Sequence, residues 1–567
     1  MRYKDWEIGS YDRSTAVDFC RKGINPLAAV FMTSRGVADI EDARVILGEV
    51  PVKMYDPFLL ADMDKAAARI NSALISGERI AVYGDYDVDG MTSCALLALW
   101  LRSRNADFEI YIPGRCDEGY GLNRSALDLL KSRGVGLVVT VDCGITAIEE
   151  AQYARDLGLG LVITDHHECR ADLPEADAVV DPKRLDCAYP YKALAGVGVA
   201  FKLICALENE PDTDRLFQRY SDLVAIGTVA DVMPVGGENR ELIRRGLAKL
   251  NNDPRPGLYC LLREANAERG RITTSTVGFT IAPRLNAAGR MGQPDLSVDL
   301  LLTDSFEDAE KLTAELCRLN TERRNLEAEI YDKASEMLPE SGPDGPIILA
   351  SRGWYQGVTG IVAAKMAERY LMPTIIISID DNGIGRGSCR STGTFGIYDA
   401  LKPCEDLLSN YGGHGMAAGV TIAEENIEEL RRRINLYYNN NIMATLSAGL
   451  KADFEVEKPE LLTVQNVEAL ERLAPFGTGY PSPCLFIREA LLTSTYSIGA
   501  GKHTRLRIEK AGTNFDCVYF SMPPENLGIG TGMLVDLAFE PQINDFRGRR
   551  NVQLHIYDIR ISQVCMK

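Results

Sequence analysis

From Arg79 onward, short and wholly apolar runs alternate with longer helix-forming stretches, and this alternation constrains the fold more than any other feature of the chain. The runs are RIAVYGD, FEIYIPG, LVVTVDCG, LVITDHH and AVVDP, with stretches such as MTSCALLALWLRSR between them. An apolar run without polar alternation is buried on both faces, and strands buried on both faces belong to a parallel sheet covered by helices. The fold class is therefore α/β, with the helical intervals supplying the crossovers that parallel pairing requires.

At 567 residues the chain is longer than one hydrophobic core supports, so several domains are expected. Residues 1–75 read as an N-terminal helical segment broken at Asn25 and Pro26, and the parallel-sheet domain is expected over 76–303. Ser305 to Leu338 is dense in helix formers and mixed charge without Gly or Pro, which predicts a long connecting helix within 304–340. The breaker cluster SGPDGP then opens a second α/β unit over 341–449, with PIILAS and PTIIISI as strands around the helix GIVAAKMAERY. Over 450–567 five strand-like runs separated by turn residues predict a small all-β barrel such as an OB-fold. Such a barrel either carries single-stranded nucleic acid or serves only as packing.

The N-terminus is charged throughout and lacks the apolar core of a secretory signal, and the apolar run Cys94 to Leu101 is far below the ~18 residues that a membrane span needs. The 14 cysteines include no C-x-x-C pair. Reduced thiols in a cytoplasm fit this pattern, with no membrane partner. The net charge of −18 disfavours a protein that coats DNA, since phosphate neutralisation by Lys and Arg supplies most non-specific affinity. It weighs less against an enzyme that threads one strand, because bound cations offset acidic residues in the site.

In YGDYDVDGMTS, Asp85, Asp87 and Asp89 alternate immediately after a strand, a concentration of carboxylates that suits hard divalent cations. A calcium loop of the EF-hand kind needs a Glu at the twelfth position, which here is Leu96, and it follows a helix rather than a strand. A solvated acidic turn remains open on this loop alone. Other runs, however, end in the same way: Asp142 closes LVVTVD, Asp165 precedes His166 and His167 after LVIT, and Asp231 closes LVAIGTVAD, read here as a further strand end. Ligands of open α/β sheets bind outside the carboxyl ends of the strands, so these stretches are expected to meet in one crevice. Of only five histidines two are adjacent, and burying both requires a partner for each. Mixed carboxylate and imidazole donors suit Mn²⁺, or Mg²⁺ with more waters retained. Two such ions about 4 Å apart hydrolyse phosphoesters by in-line displacement.

In their order, DYDVDG, VDCG, DHH and GTVAD resemble the DHH phosphoesterase superfamily. With IPGRCDEGYGL, APRLNAAGRM, GRGSCRS, GGHGMAAG and LAPFGTGYPSP, the chain is similar to the exonucleases of that superfamily that degrade single-stranded DNA from the 5′ end. The resemblance covers most of the chain from about Asn25. It implies Asp87, Asp89, Asp142, His166 and Asp231 as metal ligands, with Asp85 where some relatives carry a ligand His. It makes Asp142 the bridge between two ions, sets His167 toward the scissile phosphate, and has Asp165 orient both histidines. It also implies a phosphate-binding set in the second α/β domain: Ser388, Arg390 and Ser391, with a turn of Gly412, Gly413 and His414. Arg115, Arg284 and Arg290 either grip the strand or close surface salt bridges, and Phe546 is the candidate stacking residue of the barrel. Tyr480 and Phe546 stand where Asn and Trp are more usual. The expected partners are single-stranded DNA, a single-strand-binding protein and a helicase, in recombination and repair. Two competing readings are a phosphodiesterase of short oligonucleotides or cyclic dinucleotides, and a DNA-binding scaffold with a vestigial site.

Overall fold

The computed structural model describes residues 3, 5–114, 119, 121–209, 213–393, 395–441, 449–546 and 548–562, with His414 and Phe546 described by their backbone alone. The chain forms two compact units: Met1–Val52 with Ser447–Phe476 and Tyr480–Lys567, and Lys53–Leu446 with Gly477–Gly479.

In the larger unit the five apolar runs form one sheet in the order Phe108–Tyr111, Ile80–Gly84, Leu137–Val141, Gly160–Thr164 and Ala178–Val180, every pairing parallel. Side chains alternate faces along each strand. Ile80, Val82, Val139 and Val141 therefore enter one core, and Ala81, Tyr83 and Val138 the other. Burial on both faces is the reason these runs show no polar alternation.

One element differs from its expected form. LVAIGTVA is the last part of a helix, Asp214–Ala230, and Asp231 is the residue that ends it rather than the end of a strand. The segment is buried almost all round, from Tyr220 to Thr228, so its apolar run matches a strand pattern although its length and packing are helical.

The connecting helix is continuous over Phe306–Glu336, started by Ser305, whose hydroxyl accepts the Asp308 N–H. Beyond it lies a second, mixed sheet in the order Leu408–His414, Ala417–Ala423, Ile384–Arg390, Thr374–Ile379 and Ile347–Arg352. Only its last pair is parallel, joined by the crossover helix Gln356–Tyr370. Gly412, Gly413 and His414, expected as a turn, are paired strand residues facing Gly419, Ala418 and Ala417; the hairpin turn is the next pair, Gly415 and Met416.

In the smaller unit the strands Leu485–Ile498, His503–Lys510, Thr513–Tyr519, Arg549–Ile561 and Leu534–Phe546 follow one another, and the last pairs back with the first. This closed ring, with one parallel contact between Thr513–Tyr519 and Arg549–Ile561, is an OB-type barrel and has no free edge. The stretch 1–75 divides at Val52 instead of acting as one segment. Trp6–Ile8 pairs with Leu450–Ala452, and Phe19, Phe31 and Met32 pack with barrel residues such as Leu485 and Phe539. The helix Met63–Ser76 instead buries Met63, Ala66 and Ile70 in the parallel-sheet core. The Asn25–Pro26 break is a helix start: the Asn25 side chain accepts the Leu27 N–H, and Pro26 takes the first turn, where no N–H is needed.

Candidate metal centre

The aspartate loop joins the strand Ile80–Gly84 to the helix Val88–Ser103. Asp87 caps that helix, accepting the N–H groups of Asp89 and Gly90 at 2.9 and 3.1 Å, so its carboxylate is both a structural cap and a candidate ligand. Asp89 is turned inward by a second helix: the N–H groups of Gly196 and Val197, at the start of Gly196–Glu208, donate to its two oxygens at 2.7 and 3.0 Å. Asp142 follows the strand Leu137–Val141 in the left-handed backbone region, at φ +61°. Asp85, Asp89, Asp142 and His166 are all buried.

These side chains converge. His166 Nε2 lies 3.1 Å from an oxygen of Asp142, 3.5 Å from Asp231 and 3.8 Å from Asp89. Potential donor atoms gather in three overlapping groups, within 4.8 Å in each: Asp85, Asp87 and Asp142; Asp89, His166 and Asp231; and Asp142, Asp165, His166 and His167. Asp142 belongs to two groups and touches the third through His166.

The two histidines occupy different electrostatic settings. Burial, with the neighbouring His167, lowers His166 to about 3, which leaves an unprotonated ring with a free lone pair. His167 is partly exposed, and its Nδ1 lies 2.6 Å from Asp165. Burial works against its charge, but the hydrogen bond to Asp165 prevails and raises it to about 9. Asp165 also accepts the N–H groups of Ile145 and His166 at 2.9 and 2.7 Å; despite its burial, His167 and these donors hold its carboxyl below the ordinary range. Groups of one kind driven apart in this way mark distinct roles in acid–base chemistry.

Asp89 and Asp142 are pushed well above the ordinary carboxylate range, first by burial and then by the neighbouring carboxylates, and the same causes raise Asp231 to about 7. Among the described residues, Asp142 Oδ1 and His166 Nε2 are buried with no hydrogen-bond partner. Crowded carboxylates and an unprotonated imidazole with unsatisfied lone pairs fit divalent cations, which supply the missing positive charge.

The other expected site residues are spread more widely. Arg115 lies outside the described residues. Arg284 Nη1 donates to the Thr280 carbonyl at 2.7 Å, and Arg290 Nη1 to the Gly357 carbonyl at 3.2 Å, so Arg290 ties the parallel-sheet domain to the crossover helix of the second. Ser388 Oγ is 3.1 Å from Thr359 Oγ1, and Arg390 Nη1 donates to its neighbour Cys389. Gly412, Gly419 and Ser388 form one cross-strand row, while Ser391 donates its N–H to Met416. Neither the side chain of His414 nor that of Phe546 is described; Phe546 lies at the strand end opposite Arg549. Tyr480 stacks on Phe476 with ring centres 5.7 Å apart, and the Arg35 guanidinium lies 4.9 Å from its ring.

Four contributors were missed in the sequence. The Gly196 and Val197 N–H groups are backbone donors, signalled only by the small-residue run AGVGVA. The Ile145 N–H has no side-chain signature. Lys183, paired with Glu168 at 3.2 Å, is near enough for its charge to bear on His166 and Asp231, and one lysine in DPKR carried no signal of this.

A parallel sheet whose carboxyl edge collects aspartates and an unprotonated imidazole, followed by a mixed α/β domain, defines the class of two-metal phosphoesterases. Family models match in the same order: the DHH family N-terminal domain over residues 79–228, the DHHA1 domain over 344–440 and the RecJ OB domain over 452–558. The chain is 39% identical over 562 residues to the single-stranded-DNA-specific exonuclease RecJ of Bacillus subtilis (strain 168), covering 98% of this chain and 71% of that protein. Its counterpart in Escherichia coli (strain K12) is 33% identical over 567 residues, covering 94% and 96%. The fold matches the crystal structure of RecJ in complex with Mn²⁺ from Thermus thermophilus with a TM-score of 0.81 at 29% identity, over 98% of this chain and 79% of that one. The chain belongs to the RecJ family of DHH exonucleases.

Proposed function

We propose that this chain is a metal-dependent exonuclease that hydrolyses single-stranded DNA from the 5′ end and releases 5′-mononucleotides. The observation that carries the reading is the sharing of Asp142 and His166 among the three donor groups, since overlap of this kind suits a pair of cations rather than one. Asp85, Asp87 and Asp142 would hold one cation, Asp89, His166 and Asp231 the other, with Asp142 common to both. When bound, two such ions supply an activated water and neutralise charge developing at phosphorus.

The chain's own residues do the rest. His167, charged at neutral pH and partly exposed, faces the reacting phosphate and delivers a proton to the departing 3′-oxygen; Asp165 fixes its ring and its charge. Arg390, Ser388 and Ser391 hold a phosphate of the strand, and Arg290 keeps that domain against the catalytic one. The OB-type barrel and the single-strand-specific activity named for the relatives support an extended single strand over a dinucleotide or a short oligomer. An enzyme restricted to single strands depends on a helicase to supply them and works on strands coated by single-strand-binding protein. Every described cysteine is a free thiol, and no described helix is long and apolar enough to cross a membrane; both support action in the cytoplasm.

The test compares wild type and Asp142→Asn on 3′-labelled single strands, 5′-labelled single strands and blunt duplex, with Mn²⁺ and with chelator. Expected are early release of the 5′ label as mononucleotide, gradual shortening of the 3′-labelled strand, and loss of both in Asp142→Asn and in chelator. Equal attack on duplex, or full activity in the variant, overturns the reading.

A further inference from the structure

Two exposed apolar side chains lie on segments next to the Asp231 end of the metal centre and contribute nothing to the core. Phe279 is 83% exposed, while Val277 and Ile281 on either side of it are fully buried. It belongs to a five-residue π-turn, Val277–Ile281, set in an otherwise α-helical run from Thr274 to Arg290. Such insertions concentrate at functional sites, because the extra residue re-aims the side chains it carries. Val232, directly after Asp231, is 66% exposed and adopts φ +57°. A β-branched residue in the left-handed region is strained and persists only where its surroundings fix it. Here the Val232 N–H bonds to the Val229 carbonyl and the Met233 N–H to that of Thr228.

Packing brings together the segments that carry them. The π-turn lies against the end of the helix Asp214–Ala230, where a Cβ on Gly278 would stand 3.9 Å from Val229 Cγ1. The helix that continues from it, Ala282–Arg290, reaches the aspartate loop, where a Cβ on Gly289 would stand 2.4 Å from the Tyr86 carbonyl oxygen. The run thus borders the metal centre from the Asp231 end to the loop that carries Asp85, Asp87 and Asp89.

We propose that Phe279, with Val232 beside it, is a base-contacting platform: an unpaired base of the DNA stacks on the Phe279 ring and rests on Val232, which seats the adjacent phosphodiester over the carboxylates. This rests on the single-strand reading above. The base faces of a duplex are covered by their neighbours, whereas a single strand offers them freely and without regard to sequence, so an exposed ring at this place selects unpaired DNA. The strain at Val232 is consistent with a side chain kept for contact rather than for stability.

The test uses the full chain with Mn²⁺ and 5′-phosphorylated single strands in which an abasic site replaces each of the first few nucleotides in turn. For wild type, one position is expected to raise KM on the order of 10-fold, the effect of losing one base–aromatic stack. Phe279→Ala should raise KM for the intact strand by a similar factor and lose the abasic penalty, and Phe279→Trp should keep both near wild type. Val232→Gly should raise KM less and, with the strain relieved, raise the melting temperature. Because both side chains are exposed, folding does not confound the variants. An unchanged intact-strand KM in Phe279→Ala, or an undiminished abasic penalty, overturns the platform, as does the absence of any abasic penalty in an active wild type. Failure of wild type to shorten single strands at all would overturn the underlying reading instead.

Discussion

Gly196→Ala asks whether the position of one carboxylate, rather than its presence, sets the rate. Gly196 opens a helix and donates its N–H to Asp89 at 2.7 Å, so the backbone cannot retreat without loosening a second candidate ligand. A Cβ there would stand 2.5 Å from Asp142 Oδ1, 2.6 Å from its Cβ and 2.7 Å from its Cγ. Carbon atoms relax at about 3.5 Å, so the Asp142 side chain must shift by about 0.9 Å. Asp142 is only 2% exposed and already at positive φ, which leaves it no easy escape. A misplacement of about 1 Å in a positioned catalytic group costs on the order of 100-fold in rate, about 2.7 kcal/mol of barrier. Overpacking should cost a further ~1–3 kcal/mol of stability. The assay is the initial rate on a 3′-labelled single strand across a Mn²⁺ series, beside calorimetric Mn²⁺ titration and urea unfolding. We expect a folded protein, kcat reduced about 100-fold at saturating Mn²⁺, and weakened uptake of cation. A folded variant with wild-type kcat would refute the argument that Asp142 must sit where it does.

The metal-free protein should lose stability as pH rises from about 4 to about 7, because Asp231 is raised to about 7 and the folded state keeps a proton that the unfolded chain releases in that window. Mn²⁺ displaces that proton, so its gain in melting temperature should be larger at pH 8 than at pH 6; equal gains by scanning fluorimetry would contradict the crowded-carboxylate picture. With His167 held up to about 9, kcat should fall above that pH, and Asp165→Asn should move the fall to lower pH by removing the hydrogen bond that sustains the charge. His167→Gln should lower kcat by about 100-fold or more and abolish that limb of the pH profile, so a persistent limb excludes His167 as the donor. Lys202→Met leaves Glu238 buried without its cation partner and should cost about 3–5 kcal/mol by urea unfolding; Lys202→Met with Glu238→Gln should recover part of it.

The parallel sheet and the ligand-bearing stretches at its edge could be read locally. Strands buried on both faces announce themselves as unbroken apolar runs, and Asp85, Asp87, Asp89, Asp142 and His166 all follow such runs within a few residues. Asp231 showed the limit of that signal: its apolar run fits strand and helix alike, and only packing against neighbouring helices makes it a helix. The break at Asn25 and Pro26 was likewise legible, whereas the capping role of Asn25 and the alliance of residues 1–52 with the barrel were not, the latter resting on pairing between Trp6 and Leu450.

By itself the sequence determined which residues can donate to a cation and which strands deliver them to one edge, because side-chain chemistry and periodicity are local properties. The tertiary structure alone decided how those donors differ. Asp89 is oriented by backbone N–H groups 107 and 108 positions away, and Asp142 is confined by Gly196 from another element. Adjacent histidines become an unprotonated ring and a charged one because His166 is buried beside His167, whereas the partly exposed His167 is hydrogen-bonded to the buried Asp165. Burial and long-range neighbours set protonation and position, and neither is written in the order of the residues.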